Sequence, residues 1–202
     1  IRVYYLDKEI GVVPMKVVIT PQDWLRFAQD TENVRKQIEY LKKAVEMNKE
    51  DTGVRKVLAG IYLRQDRIDD AIKQYKEILV IKPDDTGALE ELAKCYIKKK
   101  DYDNAITVSK KLAKLNPRQA EAYATLGIAL AEKGLTRQAI ENYLEIIKIE
   151  PDNYTARYKL AEAYAKENKI NEAIEQYNYI VANSKEKDLA LLALGDVYLK
   201  QK

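Results

Sequence analysis

Side chains suited to catalysis are few in this sequence of 202 residues, and it contains no histidine. Without histidine the chain lacks the commonest general base and the commonest nitrogen ligand for zinc, and no Ser-His or Cys-His nucleophile can form. The seven glycines are scattered and form no phosphate-binding loop. We therefore expect no enzymatic activity, no catalytic residues, no metal site and no cofactor.

The single cysteine, Cys95, is the one thiol of the chain. A lone thiol cannot form an intramolecular disulfide, which suits a reducing compartment, so we expect a cytoplasmic location. Two interpretations of Cys95 remain open: a small side chain buried in the core, or a reactive thiol. Carboxylates adjacent in sequence, such as Glu90 and Glu91, point to different faces of a helix and favour a solvated surface over a catalytic pair.

The charge balance argues against a polyanionic partner. The chain carries 35 basic and 32 acidic residues, for a net charge of +3. Fifteen tyrosines and the lysine runs at 98–100 and 110–111 could stack on and neutralise a nucleic acid. Most of these tyrosines, however, fall at regularly repeated positions typical of helix packing. We expect no nucleic-acid binding, and no apolar run reaches membrane-spanning length.

The sequence contains a pattern of residues that repeats every 34 positions. In the first half of each unit a leucine is followed by a small residue, and three positions later comes a large one. The leucines are Leu58, Leu92, Leu126, Leu160 and Leu194. A spacing of i, i+3, i+4 and i+7 places such residues on one face of an amphipathic helix. A small residue beside each leucine predicts close approach of a second helix.

The second half of each unit predicts that second helix. Four Ala-Ile pairs recur at the same period, beginning at Ala71, Ala105, Ala139 and Ala173. Four residues after each alanine stands a tyrosine, except in the second unit, where Ser109 replaces it. Prolines at 83, 117 and 151 end three of the units. A fixed period of this length is typical of a solenoid.

The pattern resembles the tetratricopeptide repeat family, over about residues 18 to 202. The resemblance implies an all-α fold, a right-handed α-solenoid of antiparallel helix pairs with a concave groove. We expect a single solenoid domain over 20–202. Its parts are a degenerate repeat at 20–51, four clear repeats at 52–85, 86–119, 120–153 and 154–187, and a terminal helix at 188–202. In that terminal helix Leu191, Leu194 and Tyr198 are expected to cover the preceding unit.

Residues 1–19 break the helical pattern, because β-branched and aromatic residues cluster there. We predict a short β-hairpin with its turn at Asp7-Lys8-Glu9 and Gly11. Two strands alone are marginal in water. The hairpin would therefore pack on the first helices, complete a domain upstream, or pair across chains. Thr20, followed by Pro21 and Asp23, predicts the first helix start.

The family resemblance also implies that the first helix of each pair lines the groove. Its pattern assigns partner-binding positions to apolar residues edged by lysines and glutamates. The resulting set is Lys56, Leu63, Lys94, Ile97, Lys98, Ala124, Ile128, Ala131, Tyr158, Glu162 and Lys166. One subclass of the family binds the C-terminal carboxylate of chaperones through Lys, Asn and Arg side chains, and this sequence lacks that set.

The function we expect is that of a non-catalytic scaffold, which holds a peptide or helix of a partner protein in the groove. A self-assembling structural protein, similar to magnetosome-associated tetratricopeptide proteins, is the alternative. In that case the hairpin or one end of the chain would insert into the groove of a neighbour and form a homo-oligomer. A third possibility is that the segment is the helical part of a longer enzyme.

Overall fold

The computed structural model describes residues 2–5, 8–12 and 19–200. Contacts between Cα atoms divide the chain into two compact units, Ile1–Ile61 and Tyr62–Lys202. Between residues 19 and 200 every regular element is an α-helix.

The first unit contains two strands, β1 (Arg2–Tyr5) and β2 (Lys8–Val12), and two complete helices, α1 (Pro21–Gln29) and α2 (Val34–Met47). Helix α3 (Thr52–Arg64) includes the boundary between the units. The strands pair antiparallel, with Arg2 opposite Val12. Three residues of the expected turn, at positions 8, 9 and 11, lie within β2, so the turn was placed wrongly. Residues 6–7 and 13–18, which complete the expected hairpin, lie outside the described residues.

The start of α1 follows the prediction. The Thr20 hydroxyl accepts a hydrogen bond from the Asp23 backbone N–H at 3.2 Å, and the Asp23 carboxylate accepts one from the Thr20 N–H at 2.9 Å. This reciprocal cap satisfies two backbone donors at the helix start. Trp24 packs against the ring of Tyr40 at 5.5 Å between centroids, and Lys43 Nζ lies 4.5 Å from the Trp24 ring centroid. Trp24 therefore has a packing role.

The second unit is a succession of helices in which each helix contacts the next. These are α4 (Ile68–Ile81), α5 (Thr86–Lys98), α6 (Tyr102–Leu115), α7 (Ala120–Glu132), α8 (Thr136–Ile149), α9 (Tyr154–Lys166), α10 (Ile170–Asn183) and α11 (Asp188–Lys200). Helices α5, α7 and α9 are the first members of pairs, with α6, α8 and α10 as their partners. Helices α5 and α7 also contact each other.

The repeated small residues lie in the core of this unit. Ala71, Ala105, Ala139 and Ala173 each have 0% of their surface exposed. The leucines at 92, 126, 160 and 194 are buried as well. Small side chains at these positions let paired helices approach closely, which buries the larger apolar side chains around them. The 34-residue pattern therefore predicted the helix pairs and their core.

The turn inside each pair also repeats. Asp66, Lys100, Gly134 and Asn168, spaced by 34 residues, all have positive φ. This left-handed conformation is strained for most side chains and natural for glycine. Ion pairs join successive turns: Lys98 to Asp66, Lys99 to Asp69, Lys133 to Asp103 and Arg137 to Glu167. Most of these side chains are well exposed, so each pair contributes only about 0–1 kcal/mol.

Helix α11 departs from the expected packing. Leu194 is buried as predicted, but Leu191 and Tyr198 are 46% and 50% exposed. Their predicted covering role is wrong. The stripe that packs on α10 consists of Ala190, Leu194 and Val197, in a cluster with Tyr177 and Ile180. In the first helix of a complete pair, the side that corresponds to Leu191 and Tyr198 is covered by the second helix. Within the described residues no such helix follows α11.

Candidate functional site: apolar cavities along the first helices

An apolar cavity of about 390 Å³ lies between α5 and α7. Ile97 from α5 and Ala124 and Ile128 from α7 supply its apolar surface, and the buried Thr125 contributes as well. Five of the residues predicted for the groove line this cavity: Lys94, Ile97, Lys98, Ala124 and Ile128. Residues spaced by three or four positions lie on the same face of a helix, and this spacing places these five side chains at one cavity.

A second, smaller cavity of about 120 Å³ lies between α7 and α9. It is lined by four predicted groove residues, Ile128, Ala131, Glu162 and Lys166. Ile128 belongs to both cavities, and 37% of its surface is exposed. Ile128 is therefore the central apolar residue of the site.

Tyr158 lies farther along, in a cavity of about 470 Å³ formed by α9, α10 and the start of α11. Its ring stands edge-on to Tyr177, with centroids 5.4 Å apart. The predicted row is thus divided among three cavities instead of forming one continuous floor. Leu63 is half-buried on α3 and Lys56 is exposed. Neither residue is among those that line these three cavities.

The charged residues that border the cavities, which include Lys94, Lys98, Lys159 and Glu162, are called the rim. Lys94 pairs with two carboxylates of its own helix. Its Nζ lies 2.6 Å from Glu90 Oε1 and 2.8 Å from Glu91 Oε1. Partial burial acts to lower the pKa of Lys94, but the hydrogen bonds to these two carboxylates outweigh it and raise the pKa. Lys94 therefore stays protonated, and its charge is largely balanced within the protein.

Other rim charges are paired in the same way. Lys98 Nζ lies 2.6 Å from Asp66 Oδ1, and Lys159 Nζ lies 2.8 Å from Glu162 Oε2. The four side chains are between 40% and 78% exposed. Exposed pairs are weak and can be exchanged for a charged group of a ligand. The rim thus offers charges of both signs that a bound segment could rearrange at low cost.

The thiol considered in the sequence is a core group. Cys95 is 2% exposed, and burial, with a further contribution from Glu91, raises the pKa of its thiol to about 11. A thiol with this pKa is almost entirely protonated near neutral pH and is a poor nucleophile. Among the described residues, no group of three or more cysteine or carboxylate side chains is arranged to hold a metal ion.

Some lining residues were not predicted. Tyr143, assigned to the core by its repeat position, is 2% exposed yet contributes to the wall of the cavity between α7 and α9, together with Ala163 and Thr136. It shares this cavity with Ile128 and Ala131, and its contribution depends on how α8 packs against the neighbouring helices. A signal existed in the sequence, because tyrosine recurs at this position in three repeats, but periodicity alone does not distinguish a core wall from a groove floor.

No described helix combines the length and apolar character needed to cross a membrane.

Family models described as tetratricopeptide repeat match the sequence at residues 124–188 and 158–202 and at residues 38–89 and 69–127. No curated protein sequence was found to match.

Solved structures with the same fold share little sequence with this chain. MamA (41-end) from Desulfovibrio magneticus RS-1 is 17% identical, with a TM-score of 0.75 over 83% of this chain and 97% of that one. YrrB, described as a protein of this repeat type with an unusual peptide-binding site, is 18% identical, with a TM-score of 0.73 over 85% and 90%. A thermophilic protein of the same type from Thermus thermophilus is 20% identical, with a TM-score of 0.61 over 89% and 100%.

Proposed function

Because the chain belongs to the tetratricopeptide repeat family, we propose that it is a non-catalytic scaffold that binds a segment of a partner protein along α5, α7 and α9. The observation that carries this proposal is the pair of cavities that share Ile128. Exposed apolar surface of this kind, edged by charges, is typical of a protein-binding site.

The geometry favours an elongated ligand with apolar anchors. One anchor would enter the cavity between α5 and α7 and contact Ile97, Ala124 and Ile128. The next would enter the cavity between α7 and α9. Both an extended segment and a helix can present apolar side chains at such intervals. YrrB, which shares the fold, is described as having an unusual peptide-binding site, and this agrees with a peptide-like ligand.

The charged residues of the rim would determine the orientation of the bound segment more than its affinity. Lys94 and Lys98 already have carboxylate partners, so a ligand carboxylate would have to replace Glu90, Glu91 or Asp66. Exchanging one exposed ion pair for another changes the free energy little. Affinity would therefore come from the apolar anchors, and the charges would select the direction in which the segment lies.

The compartment we expect remains the cytoplasm, since the only cysteine of the chain is a buried free thiol.

The proposal is tested by selecting binders from a displayed peptide library on three forms of the protein. The forms are the unchanged chain, Ile128→Glu, and Leu144→Glu as the matched control. Ile128 and Leu144 are each 37% exposed, but Leu144 lies on α8 and lines neither of the two cavities. Thermal unfolding of each variant checks the fold.

We expect the unchanged chain and Leu144→Glu to enrich the same peptides and Ile128→Glu to lose them. Equal enrichment by a folded Ile128→Glu would refute the apolar cavities as the site. Sedimentation of the unchanged chain tests the self-assembly alternative. A homo-oligomer that dissociates on removal of residues 1–19, with no peptide enriched, would favour that alternative over the scaffold.

A further inference from the structure

The two cavities that share Ile128 occupy the same structural position in successive repeats. A shift of 34 residues carries five lining residues of the cavity between α5 and α7 onto five lining residues of the cavity between α7 and α9. The first five are Lys94, Ile97, Lys98, Thr125 and Ile128, and their equivalents are Ile128, Ala131, Glu132, Lys159 and Glu162. Differences between the two cavities therefore come from differences between equivalent side chains.

The cavities differ in size because their walls differ. The one between α5 and α7 has a volume of about 390 Å³, and the one between α7 and α9 about 120 Å³. Tyr143 contributes its ring to the wall of the smaller cavity. The equivalent residue in the larger one is Ser109, which is fully buried and is not among the lining residues. Thr125 acts in the same direction, because it stands where the smaller cavity has the longer Lys159.

These volumes separate aromatic from small aliphatic ligand side chains. An engineered apolar protein cavity of about 150 Å³ binds one benzene molecule. The cavity of about 390 Å³ exceeds that volume and can hold the ring of a tryptophan or phenylalanine. The cavity of about 120 Å³ falls below it and fits only a smaller side chain.

Charge complementarity adds a direction. Glu121 lines the larger cavity and Lys166 the smaller one, and neither has an ion-pair partner among the residues that the structure describes. A ligand with a basic residue beside its first anchor and an acidic residue beside its second would complement both charges. It would do so without displacing an existing ion pair.

We propose that the bound segment inserts a tryptophan or phenylalanine between α5 and α7 and a small aliphatic residue between α7 and α9, and that Ser109 determines this difference. The inference rests on the proposed function, because it specifies the ligand of the same site. Ser109 acts through its small size and does not line the cavity itself.

The aromatic side chain would come from another protein. The only tryptophan and the only phenylalanine of this chain are Trp24 and Phe27. Their ring centroids lie 5.7 Å apart, and both rings also contact the ring of Tyr40. A second copy of the chain would have to disrupt this cluster to supply either ring.

The test transfers the wall of the smaller cavity to the larger one. Ser109→Tyr introduces the ring. Ala93→Gly is combined with it, because position 93 is equivalent to Gly127, where a Cβ would lie 2.6 Å from Cε1 of Tyr143. Ala93→Gly alone is the matched control, and thermal unfolding checks the fold of both forms.

The probes are fluorescent copies of the peptide most enriched from a displayed library on the unchanged chain. One copy has its aromatic anchor changed to alanine, and another has its small anchor changed to tryptophan. Fluorescence anisotropy measures the affinity of each copy for every form of the protein, including Ile128→Glu. A photoreactive phenylalanine in place of the aromatic anchor should crosslink to residues of α5 and α7.

We expect the enriched peptide to carry one aromatic and one small aliphatic anchor, and either anchor change to weaken binding to the unchanged chain at least about tenfold. The double variant should bind the unmodified peptide at least about tenfold more weakly than Ala93→Gly does, because the new ring occupies space that the anchor needs. The peptide series uses the unchanged chain, so it decides the question even if the double variant does not fold.

The outcomes distinguish this inference from the proposed function. Peptides that depend on Ile128 but lack an aromatic anchor, or that bind a folded double variant as well as Ala93→Gly, would overturn this inference alone. Absence of any peptide that depends on Ile128 would overturn both. A homodimer seen by sedimentation equilibrium and dissociated by the double variant would also overturn the inference, because the occupant would then be a second copy of the chain.

Discussion

Gly127 lies directly against the ring of Tyr143, and a Cβ on Gly127 would come within 2.6 Å of Tyr143 Cε1. The two residues belong to the two helices of one pair, α7 and α8. The contact brings the helices close together where Tyr143 forms part of the wall of the cavity beside Ile128. The core of the pair and the floor of the site thus share a side chain.

The first prediction concerns this contact. In Gly127→Ala, the better helix propensity of alanine gains about 1 kcal/mol, and overpacking against a buried ring costs about 1–3 kcal/mol. We expect a net loss of stability of roughly 1 kcal/mol, measured by urea unfolding. Gly195→Ala is the matched control, since a Cβ at this position would meet no described atom of another element within 4 Å, and the variant should gain about 0.5–1 kcal/mol. A gain of stability in both variants would refute the contact.

The second prediction concerns Ser109, which replaces the repeated tyrosine. Its side chain is 0% exposed, and its Oγ has no hydrogen-bond partner among the residues that the structure describes. A buried polar group without a partner costs about 1–3 kcal/mol. Ser109→Ala should therefore raise the free energy of unfolding by about 1 kcal/mol. A lower thermal midpoint for Ser109→Ala would show that the hydroxyl has a partner after all.

The third prediction separates the two sides of α11. Leu194 is 7% exposed and packs in the cluster with Tyr177 and Ile180, whereas Leu191 is 46% exposed. Leu194→Ala should lower the free energy of unfolding by about 2–5 kcal/mol, and Leu191→Ala by less than about 1 kcal/mol. Chemical denaturation of both variants measures this difference. Equal losses would mean that α11 is rotated from the position described.

The fourth prediction is a loss of stability at alkaline pH. Burial raises the pKa of the Cys95 thiol from 9.0 to about 11 and that of Tyr75 from 10.0 to about 12. Burial also raises the pKa of Tyr143 and of Tyr177. These groups ionise first in the unfolded chain, so unfolding is favoured as pH rises. Their contribution to stability is complete below about pH 9 and is lost progressively between about pH 9 and 12.

Urea unfolding at pH 8 and at pH 11 measures this loss. Cys95→Ala should reduce it, because alanine occupies the equivalent positions 129 and 163 and has no proton to lose. Stability that is unchanged or higher at pH 11 would contradict the burial of these groups.

Much of the fold followed from the sequence because it rests on local periodicity. Ala139 and Ala173, for example, are fully buried where the 34-residue pattern placed them. The ion pairs of the rim could not be predicted from the sequence. The pairing of Lys98 with Asp66, for example, depends on how two successive turns approach each other. The exposed side of α11 was also missed, since Leu191 matches the pattern but, within the described residues, no second helix packs against it.

The candidate site was predicted only in part, for the same reason. The pattern places Ile128 and Tyr158 on equivalent faces, and both do line cavities. It gives no information about where the cavities divide, because that depends on the volumes of side chains from neighbouring helices, such as Tyr143. The binding role of these residues remains a proposal.

The most direct measurement of that role is site-specific photo-crosslinking with a selected peptide. A photoreactive amino acid is placed at position 128 in one sample and at position 144 in another, two sites of equal exposure on different helices. We predict that the peptide is captured at position 128 and that capture at position 144 does not exceed the level seen with a scrambled peptide. Equal capture at both positions, or capture at position 144 alone, would contradict binding along α5, α7 and α9.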